Sequence, residues 1–594
     1  MQLRHTRLMG RDTTVGVPAA HQKRRVQRCE PTRWEHSQTA LSSQAPALRA
    51  RWRRADVMAL ASLSVVHAFL FFLCNRWEGV WRQVPAIDQS LDLTTAWRFY
   101  HALSDRAFFD VASVWMHSSP VHTPLVPLGS ALLMLVAGES RVVAESVLPV
   151  STAVWIVATY ASITRLYNRR TALWTTALMT SFPVALIYSR TYLFEQPLAA
   201  MFACAGWALI ATNGFAAWRP SLLFAVLGGL VGLTRGGAPL FLVGPLVVIL
   251  WTVRGKPDRY IRLCRALVAL LLAAVLAATW YAPNLQSFAA YVYRASYANE
   301  AIFRSGEHAS VALPNAAYYG RWLMLQGPGL PVLAIVSVSW LASAPWPVGR
   351  PLGVGAALAA AFAIDAVALL PTAIQHEGAR YFLPLLPLVA LLLVRTTMAI
   401  RRVRLRRVTG ILVAIGAVHH VVALSIASYS GRSASAAAEA GFWDHTPYFV
   451  AVMSYYHSTP DRNLELNELI KTLASSGLPA QATVATLQSP DAFFSPNGLQ
   501  FQAVRMGVSC CRFVWVPPLG GSDYSATARA LAAMPVDVVL VREGGGWPVN
   551  QDLLAQAFPW LSEPADTLWR AVGQPLAISD GSRVRIFEAA VRRE

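Results

Sequence analysis

Residues 57–74 read VMALASLSVVHAFLFFLC and residues 264–282 read CRALVALLLAAVLAATWYA. Each is nearly free of charge and about as long as a helix must be to cross the hydrocarbon core of a bilayer, roughly 20 residues. Similar runs recur from about Asp56 to about Ser428, separated by short basic or Pro/Gly-rich punctuation. Across the whole chain 55% of residues are hydrophobic and only 14% charged, with a mean hydropathy of +0.40. A soluble globular chain carries about a quarter charged residues, so water cannot be the only solvent here. The pattern predicts a mainly α polytopic bundle of about 11–13 spans, followed by a smaller water-facing domain.

The formal charge of +19 invites a nucleic-acid reading, but the arginines cluster where membrane topology puts them. Arg49, Arg51, Arg53 and Arg54 precede the first span, Arg254, Lys256, Arg259, Arg262 and Arg265 form one basic loop, and Arg401, Arg402, Arg404, Arg406 and Arg407 form another. The positive-inside rule places all three in the cytoplasm, and no nucleic-acid partner is expected. Residues 1–54 are polar and basic with no apolar period, which predicts a disordered cytoplasmic tail. Met58 is an alternative start, checkable by N-terminal sequencing, and no cleavable signal pattern is evident. None of the six cysteines, Cys29, Cys74, Cys204, Cys264, Cys510 and Cys511, has paired zinc-ligand spacing. The adjacent Cys510 and Cys511 fall in the domain expected outside, where oxidation is possible; the alternative is a pair of small buried residues.

The apolar runs at 56–75, 122–138, 142–163, 171–189, 193–212, 218–234, 237–253, 264–282, 328–344, 352–371, 381–398 and 408–427 are the candidate spans. An even number returns the C-terminus to the cytoplasm, whereas the basic loop at 401–407 followed by one span puts it outside. The charge rule predicts that one early segment is split wrongly or re-entrant, with 165–255 the suspect region. The expected organisation is a tail (1–54), a transmembrane domain (55–428) with outer loops at 76–121 and 283–327, and an extracytoplasmic α/β domain (429–594). In the last, Asn467–Ser475 reads as helix, and ATVATL, CRFVWV, VDVVLVRE and RVRIFEA read as strands.

Several polar residues stand at the ends of these runs. In IDQSLDLTTAWRFYHAL (87–103), Asp88 and Asp92 are four apart and share one helical face, with Trp97, Phe99 and Tyr100 suiting a helix at the membrane interface. A carboxylate there can act as a general base. In HSSPVHTPLVPLGSALLMLVAGES (117–140), His122 precedes prolines that suit a first helical turn, and it can bind a phosphate, a metal or nothing. Glu195 lies at the junction of two runs in YSRTYLFEQPLAAMF, five residues after Arg190, and Arg235 sits in GLVGLTRGGAPLFLV beside glycines that permit close backbone approach. In IQHEGARYFLPLLPLVALLLV, His376, Glu377, Arg380 and Tyr381 stand together at the mouth of a span, where an arginine fork can hold phosphate.

The order of these features resembles the C-type membrane glycosyltransferases, in particular the group of protein O-mannosyltransferases and the lipid A aminoarabinose transferase, over roughly Asp88 to Leu393. Asp88, with Asp92 second, matches the acidic residue of the family's first outer loop. His122-Thr123-Pro124-Leu125 and Gly138 resemble its His/Lys-Pro-Pro-Leu element, with threonine replacing one proline. Ser189, Arg190 and Glu195 match a Ser-Arg element followed by an acidic residue, usually Asp. Gly232, Leu233 and Arg235 match a Gly-Leu segment ending in Lys or Arg, and Arg380, Tyr381, Pro384 and Pro387 match the last element. YANEAIFRSGEHASVALPNAAYYGRWL is similar to the second outer loop, where His308 is the metal or phosphate candidate.

The resemblance implies sugar transfer from a polyprenyl-phosphate donor to a lipid, glycan or protein acceptor at the outer face of a bacterial inner membrane. Asp88 would deprotonate the acceptor with inversion, and Arg380, Arg235 and His122 would meet the leaving phosphate. No cofactor is required, though a divalent metal ion can assist. The rival reading is a transporter or lipid flippase, which predicts ionisable residues at helix midpoints and internal repeats. Asp365 is the one acidic residue well inside a candidate span, and no repeat is apparent. A non-catalytic scaffold is the second rival.

Overall fold

The computed structural model describes residues 53–77, 85, 87–117, 119, 121–296, 320, 327–341, 361, 364, 378–430, 466–476, 478–479, 482–487, 494–508, 511–516, 536–543, 569–577 and 583–589. The elements used below are α1 (Arg54–Trp77), α2 (Ile87–Ser104), α3 (Phe108–His117), α4 (Leu125–Ala137), α5 (Arg141–Glu145), α6 (Val147–Leu166), α7 (Arg169–Thr180), α8 (Pro183–Tyr188), α9 (Glu195–Ala211) and α10 (Trp218–Thr234). A 3-10 turn, Ala238–Leu242, leads into α11 (Val243–Val253), followed by α12 (Arg259–Ser296) and α13 (Leu330–Leu341). A second 3-10 turn, Gly378–Leu385, leads into α14 (Leu386–Ala399) and then α15 (Val403–Ser430).

Among the described residues five stretches, Arg54–Arg76, Arg141–Leu166, Arg259–Tyr293, Arg380–Ala399 and Val403–Val422, are long and apolar enough to cross a membrane. Their outward faces are apolar too. Leu267, Leu271 and Val275 on α12, and Ile411, Ile415, Val418 and Val422 on α15, recur at helical spacing and are exposed. Such stripes are unfavourable in water and natural against lipid tails.

Helix direction follows from what each end touches. Asp56 at the start of α1 pairs with Arg169 at the start of α7. Arg395, near the end of α14, lies over the Tyr167 ring between α6 and α7. Arg262 of α12 donates to the Asn213 carbonyl after α9. Thr409 near the start of α15 donates to Ser339 near the end of α13. These contacts define one basic end of the bundle. From it, α1, α7–α8, α10, α12 and α15 depart, and α6, α9, α11, α13 and α14 return towards it.

This alternation corrects one expected span. The segment 122–138 forms α4, whose 13 residues reach about 20 Å at 1.5 Å each, short of a hydrocarbon core of roughly 30 Å. Its two ends are both tied to α2: His122 pairs with Asp92, and Trp97 donates to Glu139. Since α6 runs towards the basic end, the chain before it is already at the opposite end, so α4 belongs to the layer covering that end. The segment to remove lies before 165–255, the region suspected from sequence. Within that region 171–189 is one passage broken at Pro183 into α7 and α8, and 237–253 opens with the 3-10 turn.

The connection at 76–121 contains two helices, α2 and α3. The second outer loop also begins later than expected, because α12 continues through Pro283 to Ser296. Its 38 residues span about 57 Å, so its last turns project past the bilayer core towards the α2 layer. The candidate span 352–371 lies largely outside the described residues.

Beyond α15 stand α16 (Leu466–Ser475), β1 (Ala482–Leu487), α17 (Pro496–Arg505), β2 (Cys511–Val516), β3 (Val538–Glu543), β4 (Trp569–Ala577) and β5 (Arg583–Ala589). The sheet order is β2-β1-β3-β5-β4. β1 pairs parallel with β2 and β3, and β5 pairs antiparallel with β3 and β4. Val484, Leu540 and Ile586 form its apolar face with Leu469, Leu473 and Leu499 of the two helices. Helix α17 lies against α2, where Phe501 meets the Trp97 ring edge-on at 5.4 Å. The sheet unit therefore sits at the end of the bundle opposite the basic one.

Candidate functional site

The residues singled out from sequence arrive at that same end on five separate elements. Asp88 and Asp92 are in the first turns of α2, and His122 precedes α4. Glu195 opens α9, Arg235 closes α10, and Arg380 and Tyr381 lie in the 3-10 turn before α14. Glu195, Arg235, Arg380 and Tyr381 stand where an apolar run of the bundle begins or ends, whereas Asp88, Asp92 and His122 come from the layer of α2 and α4 that covers that end.

Two charged clusters result. In the first, Glu195 receives Arg235 Nη1 on its Oε1, and Arg380 Nε lies 3.4 Å from the same oxygen. Arg380 Nη2 donates to the Tyr381 hydroxyl at 2.9 Å, and the Arg235 guanidinium lies 4.5 Å from the centre of the Tyr381 ring. One carboxylate and one aromatic ring thus hold two guanidiniums together. Cations so gathered, each with a planar fork, suit a phosphate. The glycines after Arg235 make the approach possible: a Cβ at Gly236 would overlap the Phe288 ring of α12, and Gly237 has φ +79°.

In the second cluster His122 Nδ1 lies 2.7 Å from Asp92 Oδ1. The imidazole meets the Phe194 ring edge-on at 5.4 Å, and the His122 N–H donates to Ser119 Oγ at 3.0 Å. Burial raises the Asp92 carboxyl to about 6 against the lowering effect of His122. For His122 burial lowers the imidazole, but the charges of Asp92 and Asp88 outweigh it and hold the group at about 9. The two clusters feel each other, since Glu195 acts on Asp92 and Arg235 on His122. Asp88, half-buried, has no ion pair or hydrogen bond among the described residues, yet its charge acts on both Asp92 and His122.

Arg190 is set back from this group. It is buried, its Nε donates to the Leu186 carbonyl at 3.0 Å, and its own carbonyl accepts from Asn75 of α1 at 3.3 Å. It shapes the turn that presents Phe194 and Glu195. His308, His376, Glu377 and Asp365 lie outside the described residues. Among the described residues no group of three His, Cys, Asp or Glu gathers as metal ligands.

Three neighbours were not singled out from sequence. Tyr291, near the end of α12, lies in electrostatic reach of Asp88, Arg235, Arg380 and Tyr381. Phe194 braces His122. Gln196 is fully buried beside Glu195, and neither polar atom of its amide has a partner among the described residues. Phe194 and Gln196 flank Glu195 in the sequence, the signal that finds them, whereas Tyr291 has Ala290 and Val292 beside it and carries no such signal.

Neither a protein-family model nor a curated protein matches the sequence. Among solved structures the chain is similar to ArnT from Cupriavidus metallidurans bound to undecaprenyl phosphate, with a TM-score of 0.52 at 13% identity, covering 91% of this chain and 100% of that one. The same enzyme in the apo state gives 0.51 at 13% identity, over 91% and 98%. A fainter likeness, 0.45 at 12% identity over 86% and 73%, is to the oligosaccharyltransferase of Archaeoglobus fulgidus. At such identity the likeness is one of fold: this chain has a fold like that of the C-type membrane glycosyltransferases.

Proposed function

We propose that this chain is a membrane glycosyltransferase, moving a hexosyl or pentosyl group from a polyprenyl-phosphate carrier to an acceptor at the outer face of the membrane with inversion at the anomeric carbon. The observation that carries the reading is the meeting of Arg235 and Arg380 on Glu195, with carboxylates across from them on α2, at one end of an apolar bundle. ArnT, similar in fold, has been crystallised with undecaprenyl phosphate, a ligand with the phosphate and isoprenoid that such a site and bundle suit. With the arginine-rich end in the cytoplasm, the site and the sheet unit face outward.

In this reading Asp88 takes the proton of the acceptor hydroxyl as its oxygen attacks the anomeric carbon. The bond from that carbon to the phosphate oxygen breaks, and the lipid phosphate leaves with the electron pair. The charge gained by the phosphate is met by Arg235, Arg380 and His122, and the Tyr381 hydroxyl is positioned beside it. Fixed cations aimed where charge develops stabilise the transition state more than the ground state. Asp88 suits the base because its carboxylate is partly open and is not committed to a cation among the described residues.

The test is transfer of radiolabelled sugar from polyprenyl-phosphate donors by purified protein, wild type against Asp88→Asn, with folding checked by monodisperse elution. A positioned general base is worth about 10²- to 10⁴-fold, and a loss of that size is expected. Full activity in the variant would remove Asp88 from the role. Absence of transfer by the wild type across a broad donor and acceptor panel would overturn the enzyme reading in favour of a transporter.

A further inference from the structure

Asp88 and Asp92 lie one turn apart on the same helix, yet their surroundings differ. The Asp92 side chain is 2% exposed, and Oδ1 is committed to His122 Nδ1 at 2.7 Å. Its charged neighbours are His122, Asp88 and Glu195, and it acts on the Tyr192 hydroxyl, itself bonded to Ser130 at 2.8 Å. A carboxylate so enclosed offers an acceptor no line of approach. The His122 side chain keeps 21% exposure, and its charged neighbours are Asp92, Asp88 and Arg235. With Nδ1 engaged, Nε2 is the remaining donor of the ring. The ring plane is fixed by Phe194, and the backbone beneath it by Ser119, which accepts from the N–H groups of both Val121 and His122.

Resting on the proposed transfer reaction, we infer that Asp92 is a positioning residue, which orients His122 so that Nε2–H points to the departing phosphate, and that it takes no proton from the acceptor. The two carboxylates that sequence spacing makes equivalent thereby divide the work: Asp88 handles the acceptor, and Asp92 acts only through His122. The ionisation of the pair agrees with this geometry. From about 6, where Asp92 ionises, to about 9, where His122 loses its proton, both partners are charged.

The experiment follows kcat and donor KM from pH 5.5 to 9.5 for wild type, Asp92→Asn, Asp92→Glu, His122→Gln and the Asp92→Asn/His122→Gln double variant, with binding of undecaprenyl phosphate measured in parallel. Removing the Asp92 charge removes the main force holding the His122 proton, so the alkaline limb of Asp92→Asn should move down by about one pH unit or more. Near pH 8 its kcat/KM should fall about twofold for a one-unit shift of the limb and about tenfold for a two-unit shift, and it should converge on wild type near pH 6, where the wild-type carboxyl is itself taking up a proton. Asp92→Glu should recover much of the loss. The double variant should be no worse than His122→Gln, since a residue acting through another has nothing to add once the other is gone.

A pH-independent loss in Asp92→Asn, or a double variant that falls by the product of the two single losses, would overturn the inference. The binding arm separates the two claims. If wild type binds the lipid phosphate with an alkaline limb that moves in Asp92→Asn, but transfers no sugar, the positioning holds and the transfer reading fails. Transfer with an unmoved limb has the reverse meaning.

Discussion

Arginine is used at both ends of the bundle in opposite ways. At the basic end four guanidiniums are absorbed locally. Arg262 donates to the Asn213 carbonyl at 2.7 Å, and Arg265 reaches the carbonyl of Ala216. Arg165 lies over the Trp207 ring at 4.9 Å, and Arg395 over Tyr167 at 4.8 Å. The turn so clamped holds Asn213, Gly214 and Phe215 at φ values of 48°, 68° and 59°, a region costly for a side chain as bulky as phenylalanine. Arg262 and Arg265 hold this helical hairpin closed. At the opposite end Arg235 and Arg380 come from different elements and converge on one carboxylate. Cations distributed over carbonyls build structure, whereas cations brought together build a site.

The widest gap between the ends is expected in activity. Arg235→Gln and Arg380→Gln each remove a donor aimed at the leaving phosphate, a loss of about 10²- to 10³-fold in kcat by analogy with oxyanion-site donors. Arg262→Gln, far from the chemistry, should keep transfer within about threefold while lowering the apparent Tm in detergent. Comparable activity losses at both ends would break the distinction.

Stability carries the next contrast. Glu195 is 3% exposed in its side chain and is the shared partner of two guanidiniums. Breaking a buried pair by removing one partner costs about 3–5 kcal/mol. Glu195→Gln should therefore unfold well below wild type, and by more than Asp258→Asn, whose ion pair with Arg262 at the basic end is exposed on the aspartate side. Undecaprenyl phosphate supplies the missing negative charge, so it should raise the apparent Tm of Glu195→Gln by more than it raises wild type. An equal ligand-induced shift in both would show that the guanidiniums do not hold the phosphate.

The positions of these residues were legible in the sequence because membrane helices write their ends plainly: an apolar run stops, and the next polar residue is at the surface. That is how Asp88, His122, Glu195, Arg235 and Arg380 stood out. Hydropathy could not tell crossing from covering, since α4 is as apolar as a span, and only its ties to Asp92 and Trp97 place it beside α2. Pairing across the chain was equally hidden. Asp92 meets a histidine 30 positions away, while spacing linked it to Asp88. In the sheet unit four strands were readable from their β-branched and aromatic residues. The fifth, β4, carries Gly573 at φ +66° and a register shift between Val572 and Leu576, which removes the alternation that reveals a strand. Helix α17 went unread because its residues 496–505 begin with Pro-Asn-Gly, a turn signature, and only the Ser495 side chain accepting the Gly498 N–H marks it as a cap.

The smallest effect isolates geometry from charge. Gly236 follows Arg235, and a methyl group there would overlap the Phe288 ring. Gly255 stands between Arg254 and Lys256 at the basic end, and a methyl group there meets nothing within 4 Å. Both substitutions add the same atoms next to an arginine and leave every charge in place. Gly236→Ala must push the ring aside or move the backbone that carries Arg235, and displacing a reacting-site group by about 1 Å can cost as much as 10²-fold. A shift of a few tenths of an ångström should lower transfer by about three- to tenfold, whereas Gly255→Ala should leave it unchanged. Trimming the obstacle separates a steric cause from a loss of backbone freedom. The Gly236→Ala/Phe288→Ala double variant should regain activity relative to Gly236→Ala if the ring is what displaces Arg235, and should fall further if Phe288 instead braces α12 against the site.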